Sequence, residues 1–165
     1  MSKEIVQIPY PTLREVSVEV PVENIQSDET QSLISDMREA LETQDDGIGL
    51  SAPQVGVTKR VFIVSHRLFE SDPTSEDMIF VNPVVTWESK DTDTAEEGCL
   101  SIRGVYGNVE RPSSVKIQAY NEEGTNLEYE ASGILARVFQ HEIDHLDGIL
   151  FIDKATDIKN VPYEG

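Results

Sequence analysis

The stretch Ile134-Leu135-Ala136-Arg137-Val138-Phe139-Gln140-His141-Glu142-Ile143-Asp144-His145-Leu146 decides how the rest of the chain must be arranged. Its apolar residues Ile134, Leu135, Val138, Phe139 and Ile143 occupy too many faces for a helix lying on a surface. The pattern predicts a central, largely buried helix that the remaining chain encloses. Within it stands His141-Glu142-Ile143-Asp144-His145, an H-E-x-x-H pattern. Histidines four residues apart leave the same helix face and can bind one metal ion. Ile134 and Val138 lie seven residues before His141 and His145, so the imidazoles continue a stripe that would otherwise be core. Buried imidazoles need polar partners.

Working outward from that helix, Val115 to Tyr120 alternates toward the turn Asn121-Glu122-Glu123-Gly124, and Asn126 to Ala131 returns as its hairpin partner. Val61-Phe62-Ile63-Val64 has the β-branched and aromatic content of a buried strand. Met78 to Val81 and Val84 to Trp87 read as two short strands around Asn82-Pro83. A second helix spans Ser27 to Thr43, with Leu33, Met37, Ala40 and Leu41 on one face and Ser27 as N-cap. Gly47-Ile48-Gly49-Leu50-Ser51-Ala52-Pro53-Gln54 breaks that helix and leads to the strand at Val61. The expected fold is α+β, with short antiparallel or mixed sheets packed around the central helix that carries H-E-x-x-H. One domain is expected over residues 1–165, with the polar residues after about Lys154 frayed.

The composition narrows the classes of function. With 38% hydrophobic and 27% charged residues, the chain has no run of about 18 apolar residues that could span a bilayer. The opening Met1-Ser2-Lys3-Glu4-Ile5-Val6-Gln7 lacks the apolar core of a secretory signal, so a cytoplasmic location is expected. A formal charge of −18 repels nucleic-acid phosphates and anionic lipid, which argues against direct nucleic-acid or membrane binding. The single cysteine, Cys99, excludes an internal disulfide. A lone cysteine is ordinarily a small buried hydrophobe. Here it sits in Glu96-Glu97-Gly98-Cys99-Leu100-Ser101, among polar and glycine neighbours instead of inside an apolar strand. Two histidines and one thiolate form a three-ligand set with an open fourth position, the arrangement of a catalytic centre.

Three segments together resemble the signature motifs of peptide deformylases, in the family's order. They are Gly47 to Gln54, Glu97-Gly98-Cys99-Leu100-Ser101, and Gln140-His141-Glu142-Ile143-Asp144-His145-Leu146-Asp147-Gly148. The opening Pro9-Tyr10-Pro11-Thr12-Leu13-Arg14 and the segment Val109-Glu110-Arg111 are also similar to the family's pattern. The resemblance implies removal of the formyl group from the formyl-methionine of nascent polypeptides, with release of formate. It implies that Cys99, His141 and His145 hold one divalent metal, with Fe2+ native and Zn2+, Ni2+ or Co2+ able to replace it. A water on that metal would be activated by Glu142 as general base. The side-chain amide of Gln54 and the backbone N–H of Leu100 would meet the oxyanion. The backbone of Ile48 and Gly49 would pair with the substrate peptide as an added strand.

Ile134 and Val138, on the metal-facing stripe, are candidates for the wall of the methionine pocket, with ordinary core packing as the alternative. Glu97 is the candidate acceptor for a metal histidine's other ring N–H, with Arg111 neutralising it. The chain departs from the commoner bacterial pattern at Arg103, where many members carry proline, and at Tyr106, where an arginine is frequent. Only 17 residues follow Gly148, in place of the C-terminal helix that many members use on the ribosome. That mode of docking is left open, and the short form is similar to bacteriophage-encoded members. Two rival readings stand beside this one. A zincin protease shares H-E-x-x-H but takes a histidine or glutamate as third ligand. A metal-stabilised binding module would need a fourth protein ligand, for which His66 is the remaining histidine.

Overall fold

The computed structural model describes residues 4–69 and 74–162. Helix α1 spans Asp28–Glu42 and helix α2 spans Gly133–Leu146. The strands are β1 Gly49–Ser51, β2 Val61–Val64, β3 Met78–Glu88, β4 Thr92–Cys99, β5 Ile102–Pro112, β6 Ser114–Tyr120, β7 Asn126–Ser132 and β8 Thr156–Asn160. They form a five-stranded sheet in the order β1-β2-β3-β6-β7 and a three-stranded sheet in the order β4-β5-β8, antiparallel throughout. The α+β architecture read from the sequence is the one observed. Among the described residues, no helix is long and apolar enough to cross a membrane.

Strand β2 shows why the large sheet holds together. Successive side chains of a strand point to opposite faces. Val61 and Ile63 join Leu33, Ile34, Met37 and Leu41 of α1, whereas Phe62 and Val64 join Val138, Phe139 and Ile143 of α2. Both faces are therefore buried, which explains an uninterrupted apolar run where a half-exposed strand would alternate. Strand β3 repeats the division, with Ile79 and Val81 toward α1 and Phe80 toward α2. Phe80 stacks on Phe62 with ring centroids 4.6 Å apart, and Phe139 meets Phe80 edge-on at 4.9 Å. Such pairs contribute roughly 0.5–1.5 kcal/mol each beyond the area they bury.

The ends of α1 are satisfied from its surroundings. Ser27 accepts a hydrogen bond from the Thr30 N–H, and Asp28 and Glu29 stand in the positively polarised first turn. At the other end the Arg67 guanidinium donates to the carbonyls of Leu41, Glu42, Gln44 and Gly47. These include carbonyls that a helix terminus leaves without partners. Helix α2 packs against β1, β2, β6 and β7 on one side and β5 on the other, so it lies between the two sheets.

Three features differ from the sequence expectations. The two short strands around Asn82-Pro83 are one 11-residue strand, β3, bent rather than ended there. Asn82 adopts φ of +53°, and the register with β6 shifts between Val81 and Val84. Its side chain compensates by bonding both backbone groups of Val20, accepting from N–H at 2.8 Å and donating to C=O at 2.7 Å. Second, the sequence pattern predicts no strand around Cys99, yet Thr92–Cys99 and Ile102–Pro112 form a long hairpin whose polar first strand ends on Cys99. Its polar outer face carries no apolar alternation by which the strand could be read. Third, the segment after Lys154 does not fray over its described part: β8 pairs with β5. Its side chains are all exposed, so backbone pairing holds it where hydrophobic patterning gave no signal. The last three residues lie outside the described residues.

Replacing Asn82 by Ala strips partners from two buried backbone groups of Val20. At roughly 1–3 kcal/mol per orphaned group, a loss of about 2–4 kcal/mol is expected in urea unfolding of the metal-free protein. A loss below about 0.5 kcal/mol would show that Val20 finds water instead.

Candidate active site

Helix α2 delivers His141 and His145 to one side, and the end of β4 delivers Cys99 opposite them. One ligand atom from each lies within 4.8 Å of the others. Cys99 Sγ is 3.3 Å from His145 Nε2, and the two imidazole centroids are 5.0 Å apart. With metal–sulfur bonds of about 2.3 Å and metal–nitrogen bonds of about 2.1 Å, two donors of a tetrahedral site lie roughly 3.5 Å apart. The donor set therefore fits a single divalent ion in both chemistry and spacing. His66, the remaining histidine that a closed structural site would have needed as its fourth ligand, does not join this group among the described residues and stands beside Asp77.

The surroundings drive the two histidines of the cluster in opposite directions. Burial alone would strip the proton from His141, but hydrogen bonds with Cys99 and Glu97 and the charge of Glu142 hold its pKa well above the ordinary value. His145 is pushed the other way, by burial and by the nearby positive charges of His141 and Arg111.

Glu97 lies behind His141. Its Oε1 is 2.9 Å from His141 Nδ1, and Arg111 donates to both carboxylate oxygens, from Nε at 2.7 Å and Nη2 at 2.9 Å. Burial alone would raise the Glu97 pKa, yet the hydrogen bonds from His141 and Arg111 outweigh it and hold the group well below the usual carboxylate range. Arg111 also donates to Asp144, at 2.9 Å. The sequence-predicted pair Glu97 and Arg111 is thus brought together directly behind the cluster.

Glu142 is buried beside the two histidines, and burial pushes its pKa up to about 7. Its Oε1 has no hydrogen-bond partner. The backbone of β1 passes so close that a Cβ on Gly49 would lie 2.8 Å from Glu142 Oε2 and 3.2 Å from Val138 Cγ1. A side chain there would require Glu142 to move. Gln54 is equally buried, and the Ser51 N–H and hydroxyl both donate to its Oε1. That leaves its Nε2 aimed at Ser101 Oγ, 3.1 Å away, and Cys99 Sγ, 3.5 Å away. One end of the Gln54 amide thus caps the turn at Ser51 while the other faces the cluster. The Leu100 carbonyl accepts from Gln7 Nε2 at 2.8 Å.

These groups surround a pocket of about 300 Å³ whose lining includes Ile48, Gly49, Gln54, Cys99, Leu100, Ile134, Val138, His141 and Glu142. Val138 is 6% exposed, whereas Ile134 is 60% exposed and so stands on the rim. β1 is an edge strand of the large sheet. The Ile48 carbonyl accepts from the Ser65 N–H, which places Ile48 on the β2-facing side of the ladder. By the alternation of antiparallel pairs, the peptide groups of Gly49 then face the opposite side.

On the far rim Arg103 donates to the Gln44 side chain, and the Tyr106 ring covers Gly98 so closely that a Cβ there would lie 2.7 Å from Cε1. Arg137, absent from the sequence-based candidates, donates to Glu97 Oε2 at 2.6 Å. Its position four residues before His141, on the same helix face, was the signal available for it.

An α+β fold with a three-donor cluster beside a buried carboxylate has the parts of a metal-dependent hydrolase. The model of the polypeptide deformylase family matches residues 2–161, and the chain belongs to that family of hydrolases. It is 44% identical over 156 residues to the peptide deformylase of Desulforudis audaxviator, with 94% of each chain covered. Among solved structures, a probable peptide deformylase from Synechococcus phage S-SSM7 superposes with a TM-score of 0.79 at 41% identity, covering 93% of this chain and 99% of the other. A Met-Ala-Ser-bound class I type b peptide deformylase from Acinetobacter baumannii superposes with a TM-score of 0.84 at 30% identity, covering 93% and 98%.

The Glu97 carboxylate also yields a pH prediction. Its folded-state pKa lies below the ordinary 4.5, so its stabilising contribution is fully present above that value and is lost as pH falls below it. Thermal unfolding of the metal-free protein between pH 7 and 3 should show a shallower acid loss in Glu97→Gln than in the parent. Parallel curves would mean that Glu97 ionises alike in folded and unfolded chains.

Proposed function

We propose that this pocket removes the formyl group from the N-terminal formyl-methionine of nascent polypeptides and releases formate, with one divalent metal held by Cys99, His141 and His145. Fe2+ is the proposed native ion, and Zn2+, Ni2+ or Co2+ would satisfy the same donors. The observation that carries the reading is the convergence of those three donors beside a buried Glu142 whose Oε1 has no partner. When bound, the ion would polarise the formyl oxygen and favour ionisation of the attacking water.

The chain's own residues supply the remaining steps. Glu142, with its pKa raised to about 7, accepts the proton of the attacking water as its oxygen bonds to the formyl carbon. As the C–N bond breaks, the same carboxyl returns the proton to the leaving amine, so methionine departs with a free amino group and formate remains. The Gln54 Nε2 and the Leu100 N–H are assigned to the oxyanion, since Ser51 already orients the Gln54 amide toward Cys99. The outward edge of Gly49, with Ile48 beside it, pairs with the peptide backbone. Val138 lines the inner wall for the methionine side chain and Ile134 its rim, while Glu97 and Arg111 hold His141.

The test is formate release from formyl-Met-Ala-Ser by the metal-loaded protein, beside Glu142→Ala with its metal content measured. The parent should release formate, and the variant should retain metal and lose at least 10²- to 10⁴-fold in kcat. A metal-replete variant as active as the parent would remove Glu142 from the reaction. A metal-replete parent that releases no formate would overturn the reading itself.

The same carboxyl sets the acid limb of the pH profile. Burial raises its pKa to about 7 in the metal-free chain, where the charge of His141 works to lower it; a bound divalent ion would supply positive charge in place of that of His141. The parent's kcat/KM should therefore fall as pH drops, with a midpoint of about 7, while metal stays bound. Activity that stays flat down to pH 4 would contradict this role.

A further inference from the structure

We propose that Arg137 is a positioning residue for the metal centre: it completes the hydrogen-bond shell of Glu97 and so holds His141 with Nε2 turned toward Cys99 and His145. The inference rests on reading those three side chains as the metal ligands.

An ionised carboxylate offers about four lone-pair sites. On Glu97 the Oε1 faces His141 Nδ1 at 2.9 Å and Arg111 Nη2 at 2.9 Å, while Oε2 takes Arg111 Nε at 2.7 Å and Arg137 Nη1 at 2.6 Å. Arg137 fills the fourth site. A carboxylate saturated in this way accepts only, so His141 Nδ1 carries a hydrogen and Nε2 is the ring nitrogen left to face a metal ion. Arg111 meets two of those sites through Nε and Nη2, and its Nη1 is taken by Asp144 at 2.9 Å, so the remaining lone pair on Oε2 falls to Arg137.

Arg137 also ties together the elements that carry the ligands. Its Nη1 donates to the Val109 carbonyl on β5 at 2.8 Å and its Nη2 to the Asp93 carbonyl on β4 at 2.8 Å. Ala95 pairs with Val109 and Asp93 with Arg111, so these carbonyls lie on neighbouring strands of the hairpin that holds Glu97 and Cys99. Arg137 stands one helical turn before His141 on α2. One helix therefore presents both the imidazole and the arm that fixes the imidazole's partner, and the spacing between His141 and Glu97 is set by a guanidinium anchored at both ends.

The experiment follows release of Co2+ from the full-length loaded protein to excess chelator, read by loss of the thiolate–cobalt absorption, for the parent, Arg137→Met and Arg137→Lys. Each is also made with Glu97→Gln, and folding is checked by near-ultraviolet circular dichroism of the metal-free proteins. Arg137→Met should release cobalt about 10- to 100-fold faster than the parent. Arg137→Lys keeps a charged donor on Glu97 and should lie closer to the parent. With Glu97→Gln present, Arg137→Met should add little further acceleration, since the two act through one contact.

A folded Arg137→Met that holds cobalt as the parent does, whatever its melting temperature, overturns the proposal. So does an effect that persists undiminished beside Glu97→Gln. If Arg137→Met does not fold, Arg137→Gln takes its place with the same expected acceleration. A parent that binds no stoichiometric Co2+ removes the metal-centre reading itself, a failure separable from that of Arg137.

Discussion

Glu97 is a carboxylate with 7% of its surface exposed, and such a charge is tolerated inside a protein only when its partners compensate for the lost water. Here the partners come from three directions: Arg111 from β5, Arg137 and His141 from α2. The β4–β5 hairpin has a largely exposed, polar first strand. Its apolar anchorage is the small cluster of Leu13, Ile102, Val109, Leu150 and Phe151. What fixes it against α2 is thus as much ionic as hydrophobic. Removing either arginine would leave a buried charge short of a partner, which typically costs several kcal/mol. Removing the carboxylate would leave Arg111 with Asp144 as its ion-pair partner and Arg137 with the carbonyls of Val109 and Asp93.

The large sheet supplies the rigid side of the pocket. Because β2 and β3 are covered by α1 on one face and α2 on the other, the edge strand β1 is held at a set height against α2. Gly49 then lies so close to Glu142 that a side chain there would displace the carboxylate. This close packing dehydrates Glu142, and dehydration is what raises its pKa. A buried carboxyl oxygen without a partner is a local cost in stability. It stands beside the three-donor cluster, and such costs tend to be retained at functional sites.

The parts of the fold that were legible in the sequence share one property: their signal is periodic and local. The cap at Ser27, the apolar face of α1, the hairpin of β6 and β7 and the buried α2 all follow from spacing along a short stretch. The parts that were not legible lack that signal. The β4–β5 hairpin is polar on its open face, and β8 is exposed at every position. The bend at Asn82 looked like a strand end, because asparagine before proline usually marks a turn. Here two bonds to the Val20 backbone, far away in sequence, keep the strand going instead.

The sequence by itself determined the chemistry on offer: two histidines one helical turn apart, a glutamate between them, a lone cysteine in a polar setting, and a motif order that belongs to one family. Tertiary structure decided what that chemistry faces. It brought Cys99 to His145 across 46 residues, turned the Gln54 amide toward the thiol, put Ile134 on the rim and Val138 inside, and placed Arg137 on Glu97. The physical reason is one of range. Helical spacing is set by the backbone within a turn or two. The meeting of a hairpin with a helix from another part of the chain depends on strand pairing, burial and charge compensation, which no local pattern of residues contains.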